Sequence, residues 1–452
     1  MKVVITSTYN IGNETGTAKV AERLSSELSR NNEVVYLCLG KKYQLKRVNE
    51  NLKLLTVPSV IISGVSTPKI TPNTVERIKK DLTEFSPDVI HSQNILFLDI
   101  IALVWAKENN VPFIVTFHSL PSEGIRYVFP KVVKGKVIKT INFKFTSGYI
   151  NRFLKNVDLV IALNESVVKS IRKITTKTPV IIINNGLELN LFYKSKTKIP
   201  KNKVNFVFLG SYTDRKNQEY LIRAFGHLPN NYRLELYGNT ESGRSYVKKL
   251  KKIIVERNIK NVKINGFLNQ KGVYKALEKA HYLTSASIKE VQSLVIIEAL
   301  ASGIPIIALK NETVDEIVDG HNGVALPKNT TTRKFAKTLV KYVENTEKDY
   351  EKVSFYCRES VIKFDIESVT NEIIQAYKLA IKYKQSKKGD KNTHMQVYDL
   401  IPKSIENFFA KDKLIQKANK PYYLRFILSI LITISAIVSS VFYITSKVKN
   451  RW

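Results

Sequence analysis

Acidic residues and cysteines are what this sequence has little of. It carries 39 Asp+Glu against 72 Lys+Arg in 452 residues, a formal net charge of +33. Such an imbalance asks for an anionic partner, and nucleic acid or an anionic membrane surface are the two classes that supply one. Cysteine occurs only as Cys38 and Cys357, each among apolar neighbours, which excludes a disulfide framework and leaves nothing to indicate an oxidising compartment. Six scattered His and no paired Cys offer no structural zinc spacing, and the absence of any Asp-x-Asp motif means that the sequence requires no catalytic metal. A nucleic-acid reading module is also missing, so the expected partners include no nucleic acid. What is present, 44% hydrophobic and 25% charged residues, excludes wholesale disorder and is enough for two or three folded units.

The one long apolar run lies near the C-terminus. From Phe426 to Ser446 there are 21 residues without a charge, about the ~20 needed to cross a bilayer core. Tyr422 and Tyr423 precede it, and Phe442 and Tyr443 lie near its far end, at the two expected interfaces. A transmembrane helix is therefore expected over 421–446, with a short tail over 447–452. Lys411, Lys413, Lys417, Lys420 and Arg425 precede the run and Lys447, Lys449 and Arg451 follow it, which favours a cytoplasmic N-terminal side. At the other end, Met1-Lys2 leads into only Val3-Val4-Ile5 before polar residues, too short for a signal peptide. The expectation is a single-pass cell-membrane protein with its folded part on the cytoplasmic face. Residues 386–420 read as a basic juxtamembrane linker lying on anionic headgroups.

Upstream, short apolar runs alternate with helix-period segments, the βαβ signature of parallel sheets. The first series of strands is expected over Lys2–Thr6, Glu33–Cys38, Asp88–His91, Pro112–Phe117, Val157–Ala162 and Val180–Ile183. A second follows over Asn205–Leu209, Arg233–Tyr237, Val262–Asn265, His281–Ser285 and Ile304–Leu309, with helices Gln218–Phe225, Ser245–Arg257 and Leu294–Ala301 between them. The fold class is α/β: two doubly wound Rossmann-like domains, 1–190 and 204–360, joined by a linker over 191–203 and followed by a closing helix over 361–385. In such sheets ligands bind beyond the strand C-termini.

The most informative stretch runs from Glu290 to Glu298, followed by Ala299-Leu300-Ala301-Ser302-Gly303-Ile304-Pro305. A loop follows a strand, a helix starts near Ser293, and Gly303 and Pro305 stop it. Backbone N–H groups around Gln292, Ser293 and Leu294 form an anion site suited to a phosphate. Glu290 before that helix and Glu298 about a turn inside it are placed to accept hydrogen bonds from sugar hydroxyls. The same spacing also fits two solvated glutamates beside a helix.

These residues resemble the Glu-x7-Glu signature of retaining glycosyltransferases of the GT-B fold, family 4. The resemblance extends over roughly residues 1–385. Gly210-Ser211-Tyr212-Thr213-Asp214-Arg215-Lys216-Asn217 is similar to the family's donor-diphosphate loop. Tyr237-Gly238, Val262 to Phe267, and Glu316 to Gly323 are similar to the rest of its nucleotide domain. The resemblance implies a nucleotide-sugar donor, with Glu298 on the ribose, Glu290 on the sugar hydroxyls, and Gly16, Gly238, Phe267, Gln292, Ser293 and Leu294 around the donor. It implies that Lys216, with Arg215, neutralises the diphosphate leaving group. The family usually has Arg after the loop glycine where this chain has Ser211; either Arg215 supplies the missing charge or the loop has a single cation, Lys216. His118, at the end of Pro112–Phe117, resembles the family's His near the donor sugar, and a satisfied structural His is the alternative. Gly16 resembles the glycine of the first donor loop.

On the acceptor side, Lys131, Lys134, Lys136, Lys139 and Lys144 interleave with apolar residues, which suits a membrane-surface segment or a charged helix face. Details of the signature most resemble the diacylglycerol glycosyltransferase branch. The expected activity is sugar transfer to a lipid acceptor in glycolipid synthesis. A polyprenyl-linked or growing surface glycan, or an inactive sugar-nucleotide-binding scaffold, are the alternatives.

Overall fold

The architecture comes from a computed structural model, and the structure describes residues 1–12, 15–62, 65–119, 147–175, 177–192, 199 and 203–386. Among these, no helix is long and apolar enough to cross a membrane. The expected span Phe426–Ser446, the linker beyond Ser386 and the lysine-rich segment from Lys131 to Lys144 lie outside the described residues. The chain divides into two compact units, one formed by residues up to Asn184 together with those from Thr370 onward, the other by Asn185–Val369.

Among the described residues the first unit holds nine strands: β1 Lys2–Asn10, β2 Glu33–Gly40, β3 Gln44–Arg47, β4 Leu52–Ile62, β5 Val65–Pro68, β6 Val89–Ser92, β7 Phe113–Phe117, β8 Leu159–Ala162 and β9 Val180–Ile182. Their order is β3-β4-β2-β1-β6-β7-β8-β9, with β5 paired to β4. All pairs are parallel except those of β3 and β5 with β4. Central strands such as β6 and β7 are buried along their whole length, because a parallel sheet is covered on both faces. The sequence pattern omits β3, β4 and β5. Every residue of β3 is exposed, so it has no apolar alternation to read. β4 contains Pro58, which argues against an interior strand. In the fold Pro58 marks a change of partner, since pairing with β2 ends there and pairing with β5 starts at Ser59.

The second unit is an all-parallel sheet of β10 Val204–Leu209, β11 Tyr232–Tyr237, β12 Val262–Asn265, β13 Tyr282–Ser285, β14 Ile306–Leu309 and β15 Gly323–Leu326, in the order β12-β11-β10-β13-β14-β15. Apolar clusters pack on it, with Phe206, Phe225 and Leu250 in one and Leu300, Ile306 and Phe364 in the other. Cys38 and Cys357 are both buried free thiols, as their apolar surroundings predict. Helix Leu294–Ala301 ends as expected. Gly303 takes φ +74°, and a Cβ there would meet Ser354 Oγ at 2.2 Å, so glycine alone fits the stop.

The last helix, Ile366–Ser386, starts in the second unit and continues in the first. Its Tyr377 hydroxyl lies 2.8 Å from His91 Nδ1, and its Lys384 pairs with Asp158 at 3.3 Å between two nearly buried side chains. Those contacts make residues beyond Thr370 part of the first unit. Contacts between residues so distant in the chain leave no local trace in the sequence.

Candidate active site

In the second sheet the connections run outward in opposite directions from β10 and β13, which are neighbours. That is the topological switch point, where a doubly wound sheet opens a crevice beyond its strand ends. The loops leaving those two strands carry Arg215 and Lys216 on one side and Glu290 on the other. Ile288 N–H donates to the Arg215 carbonyl at 2.9 Å, and Arg215 Nη1 donates to the Lys289 carbonyl at 2.7 Å, so the loops are stitched together. The helix after β14, Glu312–Ile317, holds Glu290 by its backbone. Its N–H donates to Glu312 Oε2 at 3.2 Å and its carbonyl accepts from Thr313 Oγ1 at 3.3 Å.

The Glu290 carboxylate meets both cations through one oxygen. Lys216 Nζ is 2.5 Å and Arg215 Nη1 3.3 Å from Oε1, the Lys216 contact being an ion pair without hydrogen-bond alignment. Lys216 is 13% exposed and Arg215 39%, so Lys216 is the more sheltered charge. Burial alone would raise the Glu290 pKa, but Lys216 and Arg215 outweigh it and hold the carboxyl below its ordinary range. Ser211, where the resemblance leads one to expect Arg, contributes its backbone carbonyl to Gln218 Nε2 at 2.8 Å. Arg215 and Lys216 are thus the two cations that meet the Glu290 carboxylate.

Helix Leu294–Ala301 begins after Ser293, whose side chain makes no cap bond to its first turn. Ser293 N–H itself donates to Thr313 Oγ1 at 3.0 Å. Glu298 is buried on the same helix, one turn beyond Leu294. Gln292 Oε1 accepts from Asn185 N–H at 2.8 Å, while its Nε2 is buried without a partner among the described residues. A Cβ on Gly238 would lie 2.2 Å from the Gly210 carbonyl oxygen, so close packing of two strand ends by itself demands the glycine. Phe267, just beyond β12, is 49% exposed.

In the first unit Gly16 opens helix Gly16–Leu28, behind an N-cap at Thr15 that accepts from Ala18 N–H. His118 follows β7, half-buried, with Nε2 2.8 Å from Gln93 Oε1. Burial lowers its pKa to about 4. The order of this sheet reverses between β1 and β6, and there a buried carboxylate that the sequence reading passed over joins the strands. Asp99 accepts from Thr6 Oγ1 at 2.5 Å, Thr8 Oγ1 at 2.9 Å, Ser92 Oγ at 2.8 Å and Leu96 N–H at 3.1 Å. Burial raises its pKa even against these donors. His91 and Gln93 were missed as well. The signal for them is His91-Ser92-Gln93 at the C-terminal end of the strand beside β1.

Three kinds of comparison bear on the family and the fold. Residues 15–191 match the family model Glycosyltransferase Family 4, and residues 191–359 match Glycosyl transferases group 1. An alpha-monoglucosyldiacylglycerol synthase of Streptococcus pneumoniae is 23% identical over 319 residues, covering 67% of this chain and 70% of that protein. The Acholeplasma laidlawii protein of the same name is 24% identical over 294 residues, covering 60% and 71%. Among solved structures, a sucrose-phosphate synthase from Thermosynechococcus elongatus superposes with a TM-score of 0.67 at 16% identity, over 84% of this chain and 99% of that one. Anabaena HepE in complex with UDP-glucose gives 0.65 at 18% identity, over 84% and 100%. A doubly wound unit matching the first model, followed without a gap by one matching the second, places this chain in the GT-B glycosyltransferases with a family 4 domain ahead of a group 1 domain.

Proposed function

We propose that this glycosyltransferase moves a sugar from a nucleotide sugar to a lipid hydroxyl, of diacylglycerol type, with retention at the anomeric carbon. The observation that carries the donor side is the convergence of Lys216, Arg215 and Glu290 at the switch point of the second sheet. Breaking the bond from the anomeric carbon to the diphosphate oxygen leaves new negative charge on the β-phosphate. Lys216 and Arg215 stabilise that charge without reorganising. The first turn of Leu294–Ala301 offers N–H groups to the same phosphates, Glu298 holds ribose hydroxyls, and Glu290 holds those of the sugar. By the resemblance, His118 is a sugar contact as well. The acceptor hydroxyl gives up its proton to the departing phosphate as its oxygen bonds the anomeric carbon from the same face.

Lipid acceptors are supported by the two diacylglycerol synthase relatives, the apolar run Phe426–Ser446 and the lysine-rich segment from Lys131 to Lys144. On this reading the chain is anchored in the cell membrane with its folded units on the cytoplasmic face. The test is a panel of nucleotide sugars offered to purified full-length protein with diacylglycerol or with lipid-linked sugars. Transfer to diacylglycerol, abolished by Glu290→Ala and giving an α-linked product from an α-linked donor, is expected. No transfer to any lipid would overturn the acceptor class, and an inverted product would overturn retention.

A further inference from the structure

His118 belongs to a chain of hydrogen bonds that runs from the end of β7 to the last helix. Gln93 Oε1 is 2.8 Å from His118 Nε2, and Gln93 Nε2 is 3.2 Å from His91 Nε2. The far ring nitrogen of His91, Nδ1, is 2.8 Å from the Tyr377 hydroxyl, and Thr116 Oγ1 is 2.7 Å from His91 Nε2. Gln93, His91, Thr116 and Tyr377 are all buried.

Burial takes His91 down to about 3 and His118 to about 4, so both rings are neutral near pH 7. A neutral imidazole has one N–H and one lone pair, and what faces each nitrogen decides which is which. The Gln93 carbonyl oxygen can only accept, so the nitrogen it faces, His118 Nε2, must carry a proton. The Gln93 amide nitrogen can only donate, so His91 Nε2 must present its lone pair, and the Thr116 hydroxyl can donate to that nitrogen as well. The His91 proton then sits on Nδ1 and is donated to the Tyr377 hydroxyl. Turning the amide over would move both protons together, so Gln93 locks the two rings as a pair.

We infer that Gln93 is a positioning residue that sets the tautomer of His118, holding the proton on Nε2 and leaving Nδ1 to accept a hydrogen bond from a hydroxyl of the bound sugar. This rests on the reading of His118 as a sugar contact, and it specifies the direction of that contact. A ligand group that can only accept is rejected at Nδ1; a hydroxyl, which can donate, is taken.

The test is nitrogen–proton correlation spectroscopy of the full-length protein, labelled with 15N-histidine and held in detergent, in which the two neutral tautomers give different patterns. The expected result is His118 with its proton on Nε2. Gln93→Leu should give a mixture at His118 and lower kcat by about 10- to 100-fold, the scale of losing a hydrogen bond that orients a reacting imidazole, with donor KM little changed. Tyr377→Phe, which never touches His118, should also shift its tautomer by removing the acceptor for His91 Nδ1. A wild-type His118 protonated on Nδ1, or an unchanged tautomer in both variants, overturns the inference. The spectrum needs no activity, so it stands apart from the assay. Undiminished transfer by His118→Ala would instead overturn the sugar contact.

Discussion

Lys216 Nζ lies 2.5 Å from Glu290 Oε1, with Arg215 Nη1 3.3 Å from the same oxygen. One carboxylate oxygen therefore occupies both cations proposed for the diphosphate, and ligand and carboxylate compete for them. Replacing Glu290 by Gln removes the competitor and keeps the shape. Glu290→Gln is expected to bind a nucleoside diphosphate about 3- to 10-fold more tightly, roughly the ~1 kcal/mol of one charge-assisted contact, while losing sugar transfer. Calorimetry with UDP and GDP checks this. Weaker binding by the variant would show that the carboxylate does not compete.

Lys216 is the more sheltered cation and should contribute more to leaving-group stabilisation. Lys216→Met should lower kcat by about 10²- to 10³-fold, the cost of one preorganised donor at a developing oxyanion, and Arg215→Met by less. Adding Ser211→Arg to Arg215→Met should recover part of the loss by returning a cation to the loop. Steady-state rates on the four proteins decide it, and equal rates for wild type and Arg215→Met would remove Arg215 from the reaction.

The buried histidines predict a pH dependence of stability. The pKa values of His91 and His118 are lowered in the folded chain, to about 3 and about 4, from an ordinary 6.5. Below pH 6.5 the unfolded chain takes up protons that the folded chain refuses. Stability is thus complete above that pH and falls as pH drops toward 4, by at most about 1.4 kcal/mol per pH unit for each group. His91→Gln removes one of the two, so its melting temperature should fall less between pH 7 and pH 5 than that of wild type. Equal falls in thermal unfolding would refute the assignment.

Gly238→Ala tests the close approach of β10 and β11. Its Cβ would sit 2.2 Å from the Gly210 carbonyl oxygen, and backbone cannot swing aside as a side chain can. A loss of about 1 to 3 kcal/mol is expected, read as a lowered melting temperature, with weaker nucleotide binding because Gly210 begins the loop of Arg215 and Lys216. An unchanged melting temperature would contradict the packing.

Removing everything after Thr393 separates the two proposed membrane contacts. The shortened chain should lose membrane association that survives high salt. It should keep salt-sensitive binding to anionic vesicles through the lysines between Lys131 and Lys144, since screening weakens such attraction. Vesicle flotation at two salt concentrations gives the answer, and complete loss of binding would eliminate the lysine segment.

Most strands of both sheets were legible because a parallel sheet buries whole strands, and runs such as Phe113–Phe117 and Val204–Leu209 announce that in their residues. β15, Gly323–Leu326, was not, as four residues opening on glycine carry too little pattern. In the site, Glu290, Lys216 and Arg215 could be picked out by motif. Gln292 and Gly238 could be picked out too, but not the Asn185 N–H beside the one or the Gly210 carbonyl against the other, which nothing local shows.

The order of residues along the chain was sufficient to determine two doubly wound halves, the acidic pair eight positions apart and the lone apolar run near the end, because each is written in local composition and spacing. Only the tertiary structure decided that Arg215 and Lys216 meet at one oxygen of Glu290, and that Tyr377 reaches His91 from 286 residues away. Hydrogen bonds and ion pairs depend on separations of a few ångströms in space, and distance along the chain does not encode them.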